Sequence, residues 1–136
     1  AQVVETASEI PTLVATTKRI SAKKADDLRK KGVEVLVLGE RKDRVDLSEL
    51  LSELGGREIA SVLLEGGATL ATSAVEDGLV DKFIFFIAPK LIGGEAPSFF
   101  VGEGIETIKE AKELRITDVR LVGEDVMIEA YPKQPT

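Results

Sequence analysis

The sequence contains no cysteine and no histidine. The first absence excludes disulfides, thiolate nucleophiles and Cys-ligated metals. The second excludes a Ser-His-Asp triad, an imidazole acid or base and a His-metal site. Tryptophan is absent too, tyrosine occurs once, and aromatics make up 4% of the chain. That leaves no visible platform on which nucleic-acid bases could stack. Positive charge is in deficit: 18 Lys and Arg against 24 Asp and Glu give a net charge of −6. A phosphate backbone is bound mainly by basic surfaces, so the balance argues against nucleic acid as a partner. No apolar run approaches the roughly 20 residues of a membrane span. No basic segment with an apolar stretch behind it opens the sequence, and the expectation is a cytoplasmic protein. Chemistry must rest on carboxylates, Lys or Arg, hydroxyls, backbone amides or a borrowed cofactor.

What is present is a globular composition. The 136 residues are 43% apolar and 31% charged, which suits one ordinary domain. At this size about two thirds of the unfolded surface can be buried, enough for a core. The Val, Leu and Ile content rules out disorder.

Residues 1–11 carry no strong period and end at Pro11, so they read as a surface connection or linker. Strands and helices then alternate. The run 12–16 reads as a strand, and Ser21 as the N-cap of a helix over 22–31 stopped by Gly32. The mostly β-branched run 33–38 reads as a strand covered on both faces. A charged loop follows over 39–44. Leu47, Leu50, Leu51 and Leu54 then mark a helix that opens at Asp46 or Leu47 and ends at Gly55-Gly56. The run 59–64 reads as another buried strand, and it leads into Glu65-Gly66-Gly67. Leu70, Ala71, Ala74 and Val75 define one face of a helix over 68–77, with Gly78 beyond its end. The run 83–88 is the strongest strand, ending near Pro89. This βαβαβαβ alternation predicts parallel strands with right-handed crossovers. After a glycine-rich loop over 93–104, which contains Pro97, alternation returns over 113–122 and 126–131, joined by a turn at 123–125. The phase slips near Thr117-Asp118, which predicts a β-bulge in an antiparallel hairpin. Residues 133–136 are a tail.

In an open α/β sheet, ligands bind beyond the carboxyl ends of the parallel strands. Glu65-Gly66-Gly67 is the best candidate among those ends. Glycines there would let a ligand reach the backbone, and the first-turn amides of the following helix would favour a phosphate. Thr69 could add a hydroxyl. The competing reading is a tight turn that uses glycine only for geometry. Glu65 could accept a hydrogen bond from a ligand, or simply be an anion stabilised by the helix dipole. Thr16 and Thr17 could hold a phosphate with Lys18 or Arg19 nearby, or form a turn before the Ser21 helix. Residues 40–44 read as a solvated loop of mixed sign.

The run 63–97 resembles the reductase domain of riboflavin biosynthesis. That domain is the C-terminal half of a bifunctional deaminase/reductase and has single-domain archaeal and fungal relatives. The likeness is carried by the strand-Glu65-Gly66-Gly67-helix unit, by Gly78-Leu79-Val80-Asp81 and by the stretch from Ile87 to Gly94. Residues 101–106 and the terminal hairpin match too. The resemblance implies an α/β, dihydrofolate-reductase-like fold: a mixed, mostly parallel sheet with flanking helices and a C-terminal antiparallel hairpin. It implies NADPH as cofactor and a 5-amino-6-ribosylamino-pyrimidine 5′-phosphate as substrate, whose ribosyl group is reduced to the ribityl form. Gly66, Gly67, Ala68, Thr69, Leu70 and Ala71 match the loop for the cofactor's diphosphate. Glu65 matches a substrate contact, and Thr16 and Thr17 match the hydroxyl pair for the 2′-phosphate. A homodimer is also implied.

Members of that family open with a strand and helix that supply most of the substrate pocket, and this sequence has no counterpart to them. The expectation is therefore a partial reductase domain over 12–132 with an incomplete sheet, completed by another chain or accompanied by a deaminase domain. No residue here is assigned as a catalytic proton donor, and no metal ligand set is expected. The alternative function is a nucleotide- or phosphate-binding module without catalysis.

Overall fold

The computed structural model describes residues 1–93, 98–102, 104 and 107–133. Gly94 and Pro97 of the glycine-rich loop, Glu106, and the tail from Gln134 lie outside the described residues. The chain divides into two compact units, Ala1–Val62 and Leu63–Thr136.

The first unit opens with a short helix, α1 (Gln2–Glu5), inside the segment read as a connection. Ala7, just after it, is buried. Strand β1 (Leu13–Thr17) runs parallel to β2 (Glu34–Leu38), with Leu13 opposite Glu34 and Thr17 opposite Leu38. The connection between them is α2 (Ala22–Arg29). It starts where the sequence predicts: the Ser21 hydroxyl accepts from the Lys24 amide, satisfying one of the free amides of the first turn. It stops where predicted as well. Gly32 at φ 82° closes a Schellman motif in which the amides of Gly32 and Val33 donate to the carbonyls of Arg29 and Leu28. A side chain at Gly32 would also press on the Ala7 carbonyl, 3.3 Å from where its Cβ would lie. Ala25, Val33 and Leu38 form the small buried core here, together with Ala7.

The stretch 39–44, expected as a loop, is a hairpin of β3 (Glu40–Arg41) and β4 (Arg44–Val45). Its two central residues, Lys42 and Asp43, both have positive φ, the geometry of a type I′ turn. Lys-Asp is a poor sequence for that turn, which is why the pattern does not announce it. Asp46 caps α3 (Leu47–Gly56) by accepting from the amides of Ser48 and Glu49. Leu47, Leu50, Leu51 and Leu54 are all half-buried, so they share the sheltered stripe that their spacing predicts.

The end of α3 differs from the prediction. Gly55 and Gly56 are its last helical residues, and the left-handed position belongs to Glu58 at φ 62°. The Glu58 and Ile59 amides donate to the Gly55 and Leu54 carbonyls, a Schellman motif built on a glutamate. A left-handed non-glycine residue costs about 1–2 kcal/mol. Glu58→Gly should therefore raise stability by about 1 kcal/mol, measured as a higher urea midpoint. An unchanged midpoint would show that the strain is relieved elsewhere.

The run 59–64 forms neither a helix nor a ladder, against the expectation of a buried strand. Ile59, Val62, Leu63 and Leu64 are exposed. A strand exists only where a neighbour supplies hydrogen-bond partners, and none of the described residues pairs with this run.

Among its described residues the second unit contains α4 (Ala68–Glu76), a 3₁₀ turn (Ile108–Glu110) and three strands. The strands β5 (Phe83–Ile87), β6 (Leu114–Val122) and β7 (Asp125–Pro132) form an antiparallel sheet in the order β5-β7-β6. The hairpin is as predicted, and its register shifts between Ile116 and Asp118, leaving Thr117 as the bulged residue. The mostly parallel pairing is not confirmed: among the described residues parallel pairing is confined to β1 and β2. Alternation of elements cannot distinguish a parallel neighbour from a hairpin strand inserted beside β5.

Register assigns the two faces of this sheet. Phe83, Phe85 and Ile87 share one face with Ala130, Ile128 and Val126, and with Ile116, Val119 and Leu121. Every member is apolar. The Phe83 and Phe85 rings stack at 5.7 Å, and Ala130 at the centre is fully buried. The opposite face carries Met127, Glu129, Tyr131, Asp118 and Arg120. There Lys82 pairs with Glu129 at 2.7 Å, and the Tyr131 hydroxyl donates to the same carboxylate.

The Lys82 hydrogen bond, ahead of all other influences, holds the Glu129 carboxyl below its ordinary value of 4.5. Lys133 does the same to Glu113. The unfolded chain binds protons to these groups at a higher pH than the folded one does. Their contribution is therefore present above pH 4.5 and is lost as pH falls through the lower folded values. The urea midpoint should fall on acidification below that point, and Glu129→Gln should shrink the fall. An equal fall in the variant would remove Glu129 from the account.

Candidate functional site

Gly66 and Gly67 both adopt left-handed backbone, at φ 73° and 79°. They turn the chain into α4, and Gly67 is its N-cap. This is a backbone path that L side chains resist. The cap has no side chain to give, whereas α2 and α3 are capped by Ser21 and Asp46. The first intrahelical bond at this end runs from the Ala71 amide to the Gly67 carbonyl, at 3.0 Å. The amides of Ala68, Thr69 and Leu70 precede it and have no side-chain cap.

The space around this turn is open. Among the described residues, a Cβ on Gly66 would meet no atom within 4 Å, and one on Gly67 would meet only Leu70 Cβ at 3.8 Å. Glu65, Thr69 and Leu70 are exposed beside it, while Ala68 and Ala71 are half-buried. The hydroxyls of Thr72 and Ser73 donate back to the Ala68 and Thr69 carbonyls. Uncapped amides, a favourable dipole and open approach to the backbone are what a diphosphate requires. The residues present fit such a group.

The far end of α4 is fastened. Gly78 and Leu79 donate to the carbonyls of Val75 and Ala74, and Lys112 reaches the carbonyls of Val75 and Glu76. A cation at a helix C-terminus is favoured by the dipole.

Thr16 and Thr17 lie at the carboxyl end of β1, in the other unit. Thr17 is buried, and its hydroxyl accepts from the Arg19 amide at 3.3 Å, the turn that its sequence position allows. Thr16 is half-buried. Its hydroxyl lies 3.5 Å from the Thr17 carbonyl, the outer limit of a hydrogen bond. Arg19 is already engaged: Nη2 donates to Glu40 at 2.5 Å and to Asp43 at 2.6 Å. The Asp43 hydrogen bond, then the Glu40 charge, push the Arg19 pKa upward. Sequence reasoning missed this pairing by treating 40–44 as solvated. No local pattern in Glu40-Arg41-Lys42-Asp43-Arg44 signals it, because the pairing depends on a hairpin whose turn residues are atypical.

Residues 1–128 match the family model for the RibD C-terminal domain. The chain belongs to that family. It is 43% identical over 129 residues to the riboflavin biosynthesis protein RibD of Actinobacillus pleuropneumoniae, covering 94% of this chain and 34% of that protein. It is 38% identical over 122 residues to the 2,5-diamino-6-ribosylamino-4(3H)-pyrimidinone 5′-phosphate reductase of Methanothermobacter thermautotrophicus, covering 89% of this chain and 55% of that one. The chain thus spans about a third of the first relative and about half of the second. Among solved structures, RibD of Acinetobacter baumannii superposes with a TM-score of 0.70 at 23% identity, covering 89% of this chain and 37% of that one. A pyrimidine reductase-like protein of Corynebacterium diphtheriae gives 0.69 at 22% identity, covering 94% and 52%. The α/β, dihydrofolate-reductase-like fold implied by the sequence resemblance is the fold of this RibD C-terminal domain. No helix among the described residues is long and apolar enough to cross a membrane.

Proposed function

We propose that this RibD C-terminal domain takes part in the NADPH-dependent reduction of a 5-amino-6-ribosylamino-pyrimidine 5′-phosphate to its ribityl form, in the cytoplasm. The observation that carries the reading is the glycine turn with uncapped amides at the start of α4. Residues 65–71 supply its parts. The amides of Ala68, Thr69 and Leu70 hold the cofactor's diphosphate, with Gly66 and Gly67 giving it access and Ala71 closing the first helical turn. Glu65 accepts a hydrogen bond from the substrate and orients it. Thr16 and Thr17 receive the 2′-phosphate: the Thr17 hydroxyl accepts from the Arg19 amide and keeps its own proton to donate, and the Thr16 hydroxyl donates only weakly to the Thr17 carbonyl. The nicotinamide supplies hydride when bound, and what the chain contributes is alignment and exclusion of water. We assign the reductase role to residues 12–132. The partner surface of a homodimer is placed on the apolar sheet face, where Ile87, Ile116, Val119 and Leu121 are exposed.

The test is NADPH oxidation with the ribosylamino-pyrimidine phosphate, by the parent protein and by its Glu65→Gln variant. The variant should lose about ten-fold or more in kcat, since a hydrogen bond to a charged group contributes about 1.5–3 kcal/mol, with little change in KM for NADPH. A change confined to that KM would move Glu65 out of the substrate site. Nucleotide binding with no turnover by the parent would leave a binding module instead.

A further inference from the structure

Arg19, two residues beyond Thr17, is not free to meet a phosphate. Arg19 Nη2 is shared by Glu40 at 2.5 Å and Asp43 at 2.6 Å. One guanidinium bridges two carboxylates. Those carboxylates are held in place by the fold. Glu40 opens β3, and Asp43 sits at the tip of the hairpin. The base of that hairpin is fixed at Gly39, whose amide donates to the Glu49 carboxylate at 2.6 Å and whose carbonyl accepts from the Asp46 amide at 3.0 Å. The return strand β4 lies beside β1. The Arg19 amide is bonded to the Thr17 hydroxyl, so backbone and side chain of one residue join the threonine turn to the acidic pair.

We propose that Glu40 and Asp43 are specificity-determining residues that compete with a ribose 2′-phosphate for Arg19. The inference rests on the reading of Thr16 and Thr17 as the 2′-phosphate site. Guanidinium forms its strongest pairs with carboxylate or phosphate, and the same donors serve both. An arriving 2′-phosphate meets two like charges and must displace them from Arg19. A ribose bearing a free 2′-hydroxyl meets no such repulsion, and a carboxylate accepts its proton in a hydrogen bond. The acidic pair therefore narrows the preference for the phosphorylated dinucleotide over the unphosphorylated one. All three side chains reach solvent, with Arg19 62%, Glu40 32% and Asp43 82% exposed. The effect is then modest and salt-dependent.

The probes are adenosine 2′,5′-bisphosphate and 5′-AMP, titrated by calorimetry at low ionic strength. The double variant Glu40→Gln/Asp43→Asn should bind the bisphosphate about five- to ten-fold more tightly than the native chain. Its affinity for 5′-AMP should not rise, and adding Arg19→Gln should erase the gain. Salt should shrink the gain as well. Equal gains for both probes would mean a general charge effect and would overturn the proposal. No gain, with native bisphosphate binding that Thr16→Val weakens, would overturn the role of the acidic pair and leave the threonine site standing. Native and double-variant chains that both fail to distinguish the two probes would overturn the threonine site and the proposal together.

Discussion

Gly67→Ala should abolish dinucleotide affinity while leaving the protein folded. The substituted position is the N-cap of α4 at φ 79°, and among the described residues a methyl group there meets only Leu70 Cβ at 3.8 Å, an ordinary contact. The structural penalty is the left-handed backbone, about 1–2 kcal/mol. The functional penalty is larger. The methyl group stands where the diphosphate must approach the amides. Charge-assisted hydrogen bonds contribute about 1.5–3 kcal/mol each, so losing two lowers affinity more than about 100-fold. NADPH titration should show that loss, while circular dichroism and the urea midpoint show a chain still folded. Affinity within a few-fold of native would mean that the glycine turn serves geometry alone. Gly66→Ala, whose Cβ would meet nothing within 4 Å, separates backbone strain from blocked approach.

Ala130→Asp should unfold the second unit. Ala130 is fully buried on the central strand β7, opposite Phe83 on one side and Ile116 on the other. An aspartate there would bring a carboxylate into an apolar row, and among the described residues of the three strands no cation shares that face to pair with it. Stranding a charge in this way costs about 3–5 kcal/mol, a large share of the stability of a domain this size. The urea midpoint should collapse, and near-ultraviolet dichroism should weaken with it. Ala130→Gly, which buries no charge, should lose only about 1 kcal/mol. If the aspartate variant were no worse than the glycine one, Ala130 would not be at the heart of the sheet.

Local chemistry was the most legible part of the sequence. Ser21, Asp46, Gly32 and Gly78 mark helix ends through bonds that span only a few residues, and each holds its predicted post. The phase slip at Thr117 is equally local and equally visible. Pairing was less legible because it depends on what lies alongside. The run 59–64 has the composition of a strand and no ladder, and β5 joins a hairpin rather than a parallel row. Left-handed backbone at Glu58 and Lys42 hid behind residue types that seldom adopt it. The glycine turn stood out because glycine is the residue such a path selects. The acidic pair on Arg19 did not, since its contact depends on a hairpin that its own sequence scarcely encodes.

Helix α4 is tied down at one end and bare at the other. Lys112 and the Gly78 turn secure its last carbonyls, while Gly67 leaves its first amides without a cap. On the proposed reading a bound diphosphate completes the helix, so ligand affinity and helix order become one thermodynamic quantity. Changes that loosen the distal clamp then weaken binding from more than two helical turns away. Sequence drift at Lys112 or Gly78 would thus be constrained by the cofactor without ever touching it.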